Sequence, residues 1–276
     1  MLLKFTKMHG AGNDFVIVDL ISQRYKLRSR DIRLLADRHL GIGCDQVLVV
    51  EAPGNPAVDF RFRIYNSDGS EAEQCGNGAR CFARFVREKK LTNKRSITVE
   101  TRNGIAELRV KSRREVEVDM GTPQLQPAAI PFLAEQESPS YTLNLADRSL
   151  EIGAVSMGNP HAIVRVDSVQ VAPVAELGSQ IEIHPDFPNR VNAGFMEVVA
   201  ADHIRLRVFE RGVGETLACG SGACAAVVYG VVQGWLSDVV TVELPGGKLS
   251  ISWAGRGNPV IMTGPTAVVF EGSIRI

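Results

Sequence analysis

Apolar and charged residues alternate through Phe60, Arg61, Phe62, Arg63 and Ile64, and again through Ile204, Arg205, Leu206, Arg207 and Val208. That period of two predicts strands with one buried face. Further strands are expected over 15–20, 46–51, 96–101, 105–110 and 115–119, the middle pair joined by a turn at Asn103 and Gly104. The period lengthens at three places. Ser29 suits the N-cap of a helix over 30–40, where Ile32, Leu35, Ala36 and Leu40 share a face and Gly41 closes the end. A second helix is expected over 76–89, with Ala79, Phe82, Ala83 and Val86 as its apolar stripe. A third, from 220 to about 234, is apolar on nearly every side, so it belongs at the centre of a domain, wrapped by strands. Short strands around one central helix in each half give an α+β class, not a parallel α/β sheet.

The halves repeat. Placing Cys75 on Cys219 sets an offset of 144 residues, at which Arg63 meets Arg207 and Glu71 meets Glu215. The same offset brings Cys75-Gly-Asn-Gly-Ala-Arg-Cys81 onto Cys219-Gly-Ser-Gly-Ala-Cys224. At an offset of 146, Asn13 meets Asn159 and Gln46 meets Asn192. Both halves close alike, at Met120-Gly-Thr-Pro123 and Met262-Thr-Gly-Pro265. We read two duplicated, pseudo-symmetric domains with a site in the cleft between them. The apolar run after Pro265 is then left over, and it returns to the first domain. The expected domains are 1–119 with 265–276, and 120–264.

Composition removes several alternatives. Lysine plus arginine equals aspartate plus glutamate at 31 each, so the basic excess of a nucleic-acid binder is missing. Five cysteines and an N-terminus too charged for a signal peptide point to a cytoplasmic protein with no membrane partner. The chain has no GxxxxGK[ST] loop and no HExxH, and Ser221 is not in a GxSxG elbow.

Cys75 and Cys219 each open a helix. A thiol's ordinary pKa of about 8.5 falls at helix starts, where unpaired N–H groups also attract anions. Glycines at 76, 78, 220 and 222 leave room for a ligand to approach that backbone. Two equivalent thiols suit a reaction that takes a proton from one face of a carbon and returns one to the other. Fixed donors facing a substrate carboxylate would stabilise the charge that α-deprotonation develops. Cys44, Cys81 and Cys224 read as small buried hydrophobes. The spacing within each motif is too long for paired zinc ligands.

With these residues in place, the chain resembles the diaminopimelate epimerases over essentially its whole length. The resemblance rests on Lys7-Met-His-Gly-Ala-Gly-Asn-Asp-Phe15, Gly41-Ile-Gly-Cys-Asp-Gln46, Tyr65-Asn-Ser-Asp-Gly69 and Cys75-Gly-Asn-Gly-Ala-Arg80. It extends to Met157-Gly-Asn-Pro-His161, Arg190-Val-Asn192, Glu210-Arg-Gly212 and Glu215-Thr-Leu-Ala-Cys-Gly-Ser-Gly222. It implies a homodimeric, cofactor-independent and metal-free isomerase of LL- and meso-2,6-diaminopimelate, serving lysine and peptidoglycan-precursor biosynthesis. It also implies that Cys75 and Cys219 transfer the proton, with His161 and Glu210 in support. Gly76, Asn77, Gly220 and Ser221 would hold the reacting end of the substrate. Asn66, Asn159, Asn192 and Arg211 would bind the distal carboxylate, Glu210 would lie near an ammonium group, and Asn13 and Gln46 would complete the pocket.

The repeat itself departs from symmetry where Asn66 meets Glu210 and Ser67 meets Arg211. A buried Glu210-Arg211 pair suits a substrate with two different ends. Proline lacks a distal carboxylate and amine, which places proline racemase or hydroxyproline epimerase second. A non-catalytic binder of a dicarboxylic amino acid and a metal-holding structural protein stay open on the residues alone.

Overall fold

The computed structural model describes residues 2–72, 75–102 and 104–276, so Asn103 of the expected turn lies outside the described residues. The chain divides into two units, Met1–Asp119 with Thr263–Ile276, and Met120–Met262.

The first unit contains β1 (Leu2–Gly10), β2 (Asn13–Asp19), α1 (Ser29–Ala36), β3 (Gln46–Glu51), β4 (Phe60–Asn66), α2 (Gly76–Glu88), β5 (Ser96–Thr101), β6 (Gly104–Val110) and β7 (Glu115–Asp119). β1 pairs antiparallel with β2 and with the returning C-terminal strand, Ala267–Arg275. β2 and β3 are parallel across α1, and β4 and β5 are parallel across α2. A parallel pair needs such a crossover, whereas β3–β4, β5–β6 and β6–β7 are antiparallel. Strands β1, β2, β3, β6 and β7 all contact α2, so the mixed sheet wraps that helix. The Phe82 ring of α2 meets Phe60 and Phe62, the inward positions of the alternating strand β4. A separate apolar cluster forms where Ile32 and Leu35 of α1 cover Val16, Val18, Val47 and Val49.

α1 is shorter than its pattern predicts, and Leu40, expected on its apolar face, is exposed. Asp37 leaves helical geometry (φ −63°, ψ 123°), and its Oδ1 accepts the N–H groups of His39 and Leu40. A carboxylate that satisfies local backbone donors competes with the helix and stops it. The N-cap is Arg28, not Ser29.

The second unit contains β8 (Tyr141–Asn144), β9 (Ser149–Ser156), β10 (Pro160–Arg165), α3 (Val174–Glu182), β11 (Asn192–Ala200), β12 (His203–Glu210), β13 (Gly214–Thr216), α4 (Gly220–Val232), β14 (Val239–Leu244) and β15 (Gly247–Ser252). Its pairings reproduce the first plan: β9–β10 antiparallel, β10–β11 parallel across α3, β11–β12 antiparallel, β12–β14 parallel across α4 and β14–β15 antiparallel. Even the register repeats, since Phe15 faces Gln46 and His161 faces Asn192. α4 is buried along nearly its whole length and touches β9, β10, β11, β12 and β15. This is the α+β arrangement expected, with one wrapped helix per unit. Among the described residues no helix is long and apolar enough to cross a membrane.

Candidate active site: two matching half-sites

Cys75 is the N-cap of α2, with extended dihedrals (φ −146°, ψ 105°). Its Sγ accepts the Gly78 N–H at 3.4 Å, the bond a serine or aspartate oxygen ordinarily makes there. Asn13, the first residue of β2, sets its Oδ1 3.6 Å from Cys75 Sγ and 3.4 Å from Asn77 Nδ2. The antiparallel register places Gln46 opposite Asn66, and Gln46 Nε2 donates to Asn66 Oδ1 at 3.0 Å. Asn66 Nδ2 continues to Ser70 Oγ at 3.1 Å. Gln46 Oε1 is buried and has no hydrogen-bond partner among the described residues. Asn13, Gln46, Asn66, Asn77 and Cys75 thus form one neighbourhood at the ends of β2, β3 and β4 and the start of α2.

The second unit builds the same neighbourhood. Cys219 is the N-cap of α4 (φ −114°, ψ 109°) and lies 3.6 Å from Ser221 Oγ. Asn159 Nδ2 donates to Ser221 Oγ at 3.3 Å, and Asn159 Oδ1 lies 3.1 Å from His161 Nε2. Glu210, at the end of β12, accepts the Thr216 hydroxyl and stands beside Cys219. Burial first, then the Glu210 charge, pushes the Cys219 thiol well above its ordinary pKa, while Ser221 and the Gly222 N–H pull less strongly the other way. Cys219 therefore rests as a thiol in this structure.

Asn192 joins the strands around this cluster. Its Nδ2 donates to the Pro160 carbonyl at 2.9 Å, and its Oδ1 accepts the Arg211 N–H at 3.0 Å. Beyond Arg211 the chain turns through Gly212 (φ 73°), whose N–H is held by Glu182. The pair expected to be buried is not: Glu210 is half-buried and Arg211 exposed. Arg211 sits on the tight turn between β12 and β13, and its guanidinium donates to the Asn189 carbonyl at 3.0 Å.

His161 hydrogen-bonds Asn159 and, among the described residues, makes no direct bond to a cysteine. Burial, then the Arg211 charge, lowers its pKa from 6.5 to about 3, so the ring is neutral near pH 7. Between those two values the unfolded chain binds a proton that the folded chain refuses. Stability must then fall as pH drops through this window. The expected result is an acid-side decline in thermal midpoint that His161→Gln flattens; identical pH dependence in both proteins would contradict it.

At Gly78 an added Cβ would lie 3.1 Å from Leu48 Cδ2 and 3.4 Å from Phe15 Cε1. At Gly222 it would lie 3.1 Å from Val208 Cγ2 and 3.3 Å from Cys219 Sγ. Protein atoms fill the space at these two glycines, which serve close helix–strand packing and room for the thiol instead of ligand approach. Cys44, Cys81 and Cys224 are buried, and burial raises the first two thiols to about 12. Two charged residues that lie inside the quoted motifs but were given no role, Asp45 and Arg80, also reach the first cluster. Asp45 accepts Asn13 Nδ2 at 2.8 Å, and fully buried Arg80 donates to Asn77 Oδ1 at 2.8 Å. Among the described residues, no group of three His, Cys, Asp or Glu side chains is placed to hold a metal ion.

The family profile described as diaminopimelate epimerase matches residues 5–126 and 153–269. A diaminopimelate epimerase of Stutzerimonas stutzeri (strain A1501) is 60% identical over 276 residues, with both chains covered in full. One from Pseudomonas aeruginosa (strain LESB58) is 58% identical over the same length, again with full coverage of both. Among solved structures, a Bacillus anthracis phenazine biosynthesis protein of the PhzF family superposes with a TM-score of 0.73 at 19% identity, covering 100% of both chains. A probable proline racemase from Agrobacterium radiobacter K84 reaches 0.73 at 14% identity, covering 99% of this chain and 93% of its own. At such identities these two structures share the fold.

Proposed function

Because the chain belongs to the diaminopimelate epimerase family, we propose that it interconverts LL- and meso-2,6-diaminopimelate by two-base proton transfer at Cα. One cysteine, as thiolate, removes the α-proton; the other, as thiol, returns a proton to the opposite face. The observation that carries this reading is the matched pair of N-cap cysteines, Cys75 and Cys219. Asn13 at the start of β2 meets Cys75 itself, and Asn159, just before the equivalent strand β10, bonds Ser221 in the helix turn that Cys219 opens.

The difficulty of the reaction is the weak acidity of the α-proton. Its removal drives negative charge into the carboxylate, and first-turn helix N–H groups are fixed donors for such charge. Gly76, Asn77, Gly220 and Ser221 supply that turn and hold the reacting end. Asn66, Asn159, Asn192 and Arg211 receive the distal carboxylate, Glu210 receives an ammonium group, and Asn13 and Gln46 complete the contacts. His161, neutral and bonded to Asn159, supports the second cluster through that contact. The resting Cys219 thiol is the acid in one direction. In the other it must lose its proton beside Glu210. No cofactor takes part in this scheme.

Proline racemase or hydroxyproline epimerase is the competing reading, since the fold serves a probable proline racemase too. The charged Glu210 and Arg211 favour the longer substrate. Purified protein incubated separately with LL-diaminopimelate, L-proline and trans-4-hydroxy-L-proline, then resolved by chiral chromatography, decides between them. Conversion of the diaminopimelate alone is expected; conversion of a proline isomer instead would replace this function with the competing one.

The same reading takes the protein as a cytoplasmic homodimer. The C-terminal strand exposes Val269 and Phe270, apolar side chains suited to a second copy. Sedimentation at twice the 30.0 kDa chain mass is the expected result.

A further inference from the structure

We propose that Asp45 is a positioning residue for Cys75, fixing which end of the Asn13 amide the thiol meets. This rests on the reading of Cys75 as a proton-transferring thiol. An asparagine amide has a donor end and an acceptor end of nearly equal shape, so its partners decide its orientation. Asn13 Nδ2 lies 2.8 Å from Asp45 Oδ2. A carboxylate only accepts, which commits the NH2 end to Asp45 and leaves Oδ1 for Cys75. The opposite side demands the same polarity. Arg80 only donates and occupies Asn77 Oδ1, so Asn77 turns its Nδ2 toward Asn13 Oδ1, at 3.4 Å. The Asp45 contact is the shorter and is charge-assisted, and so the stronger of the two.

Asp45 is itself held in place. Its Oδ2 accepts the Asp14 N–H at 3.1 Å and its Oδ1 accepts Arg38 Nη2 at 2.8 Å. Asp14 is anchored by Lys7 and Arg38. Burial raises the Asp14 carboxyl, but the Arg38 and Lys7 bonds outweigh it and hold the pKa at about 2. Asp14 therefore stays charged at neutral pH. The equivalent amide in the second unit has no such lock: Asn159 lies between His161 and Ser221, each able to donate or accept.

The consequence is chemical. An acceptor facing Cys75 favours the S–H form, and a donor there would favour the thiolate. Asp45→Ala removes the stronger of the two restraints and leaves only the longer Asn77 contact, so the Asn13 amide gains access to the orientation that presents Nδ2 to the sulfur. Asp45→Asn loses the charge but keeps an oxygen for Asn13 Nδ2. The Asp45 side chain is 45% exposed, so neither substitution opens a cavity, and both break the same ion pair with Arg38.

The test is iodoacetamide alkylation of the intact protein across pH, with Cys75 and Cys219 quantified separately by peptide mass spectrometry. Below its titration midpoint, Cys75 of the Asp45→Ala protein is expected to react about tenfold faster than that of the Asp45→Asn protein, a shift of about one pH unit. Cys219 is expected to keep one profile in all three proteins. In turnover, Asp45→Ala should lower kcat with KM little changed, and Asp45→Asn should restore it. Equal Cys75 profiles in the two variants would reduce Asp45 to a point charge, and an unmoved profile in Asp45→Ala would give it no hold on the thiol. Either result overturns the proposal. Alkylation reads the thiol directly, so this outcome stands apart from whether diaminopimelate is turned over.

Discussion

Cys75→Ala and Cys219→Ala, made separately, are each expected to cut epimerisation of LL-diaminopimelate by at least about a thousandfold, within the range that positioned acid–base groups supply. Each sulfur sits at a helix start, where no other ionisable side chain occupies the N-cap. Neither change should unfold the protein. Cys75 is partly exposed, and Cys219, though buried, loses one sulfur atom. The thermal midpoint should fall by a few degrees at most, more for Cys219. Near-native midpoints with lost turnover in both variants are the expected pair of results. Turnover within tenfold of wild type in either variant would remove the two-base mechanism.

Arg211→Ala is expected to raise KM for diaminopimelate about ten- to a hundredfold, with a smaller change in kcat. Hydrogen bonds to a charged partner are worth about 1.5–3 kcal/mol, and a contact to the distal carboxylate is made in ground and transition states alike. The structure prepares this side chain for binding. Its N–H is pinned by Asn192 Oδ1, and its guanidinium is steadied by the Asn189 carbonyl while still exposed to a ligand. Arg211→Lys should recover part of the loss, because an ammonium cannot match the planar fork on a carboxylate. A KM unchanged in Arg211→Ala would place the residue outside substrate contact.

Much of this was legible in the chain because duplication wrote it twice. The alternation through Phe60 to Ile64 recurs through Ile204 to Val208, and the strands β4 and β12 follow it. The helix that reads as apolar on every side, α4, is buried along nearly its whole length. Other elements were less visible. β1 carries Lys4 and Lys7 among its apolar residues, and its pairing with Ala267–Arg275 is a long-range contact that no local pattern reveals. α3 is short and opens directly after Pro173, yet Val174, Leu177, Gly178 and Ile181 do form a helical buried face. α1 ends early because the Asp37 side chain bonds the backbone just beyond it, a competition that periodicity does not register. At the site, residue identity announced the cysteines and amides. It did not announce that Arg211 would be exposed or that His161 would be buried and neutral, since both depend on which turn projects and which side packs.

The most direct test of the central claim is incubation of the protein with LL-diaminopimelate in D2O, with reductant and no added cofactor, following meso product and α-deuterium together. The account predicts meso product carrying deuterium at the inverted carbon, because the proton returned comes from a thiol that exchanges with solvent. Meso product without solvent deuterium, or no exchange at Cα while inversion proceeds, would contradict it.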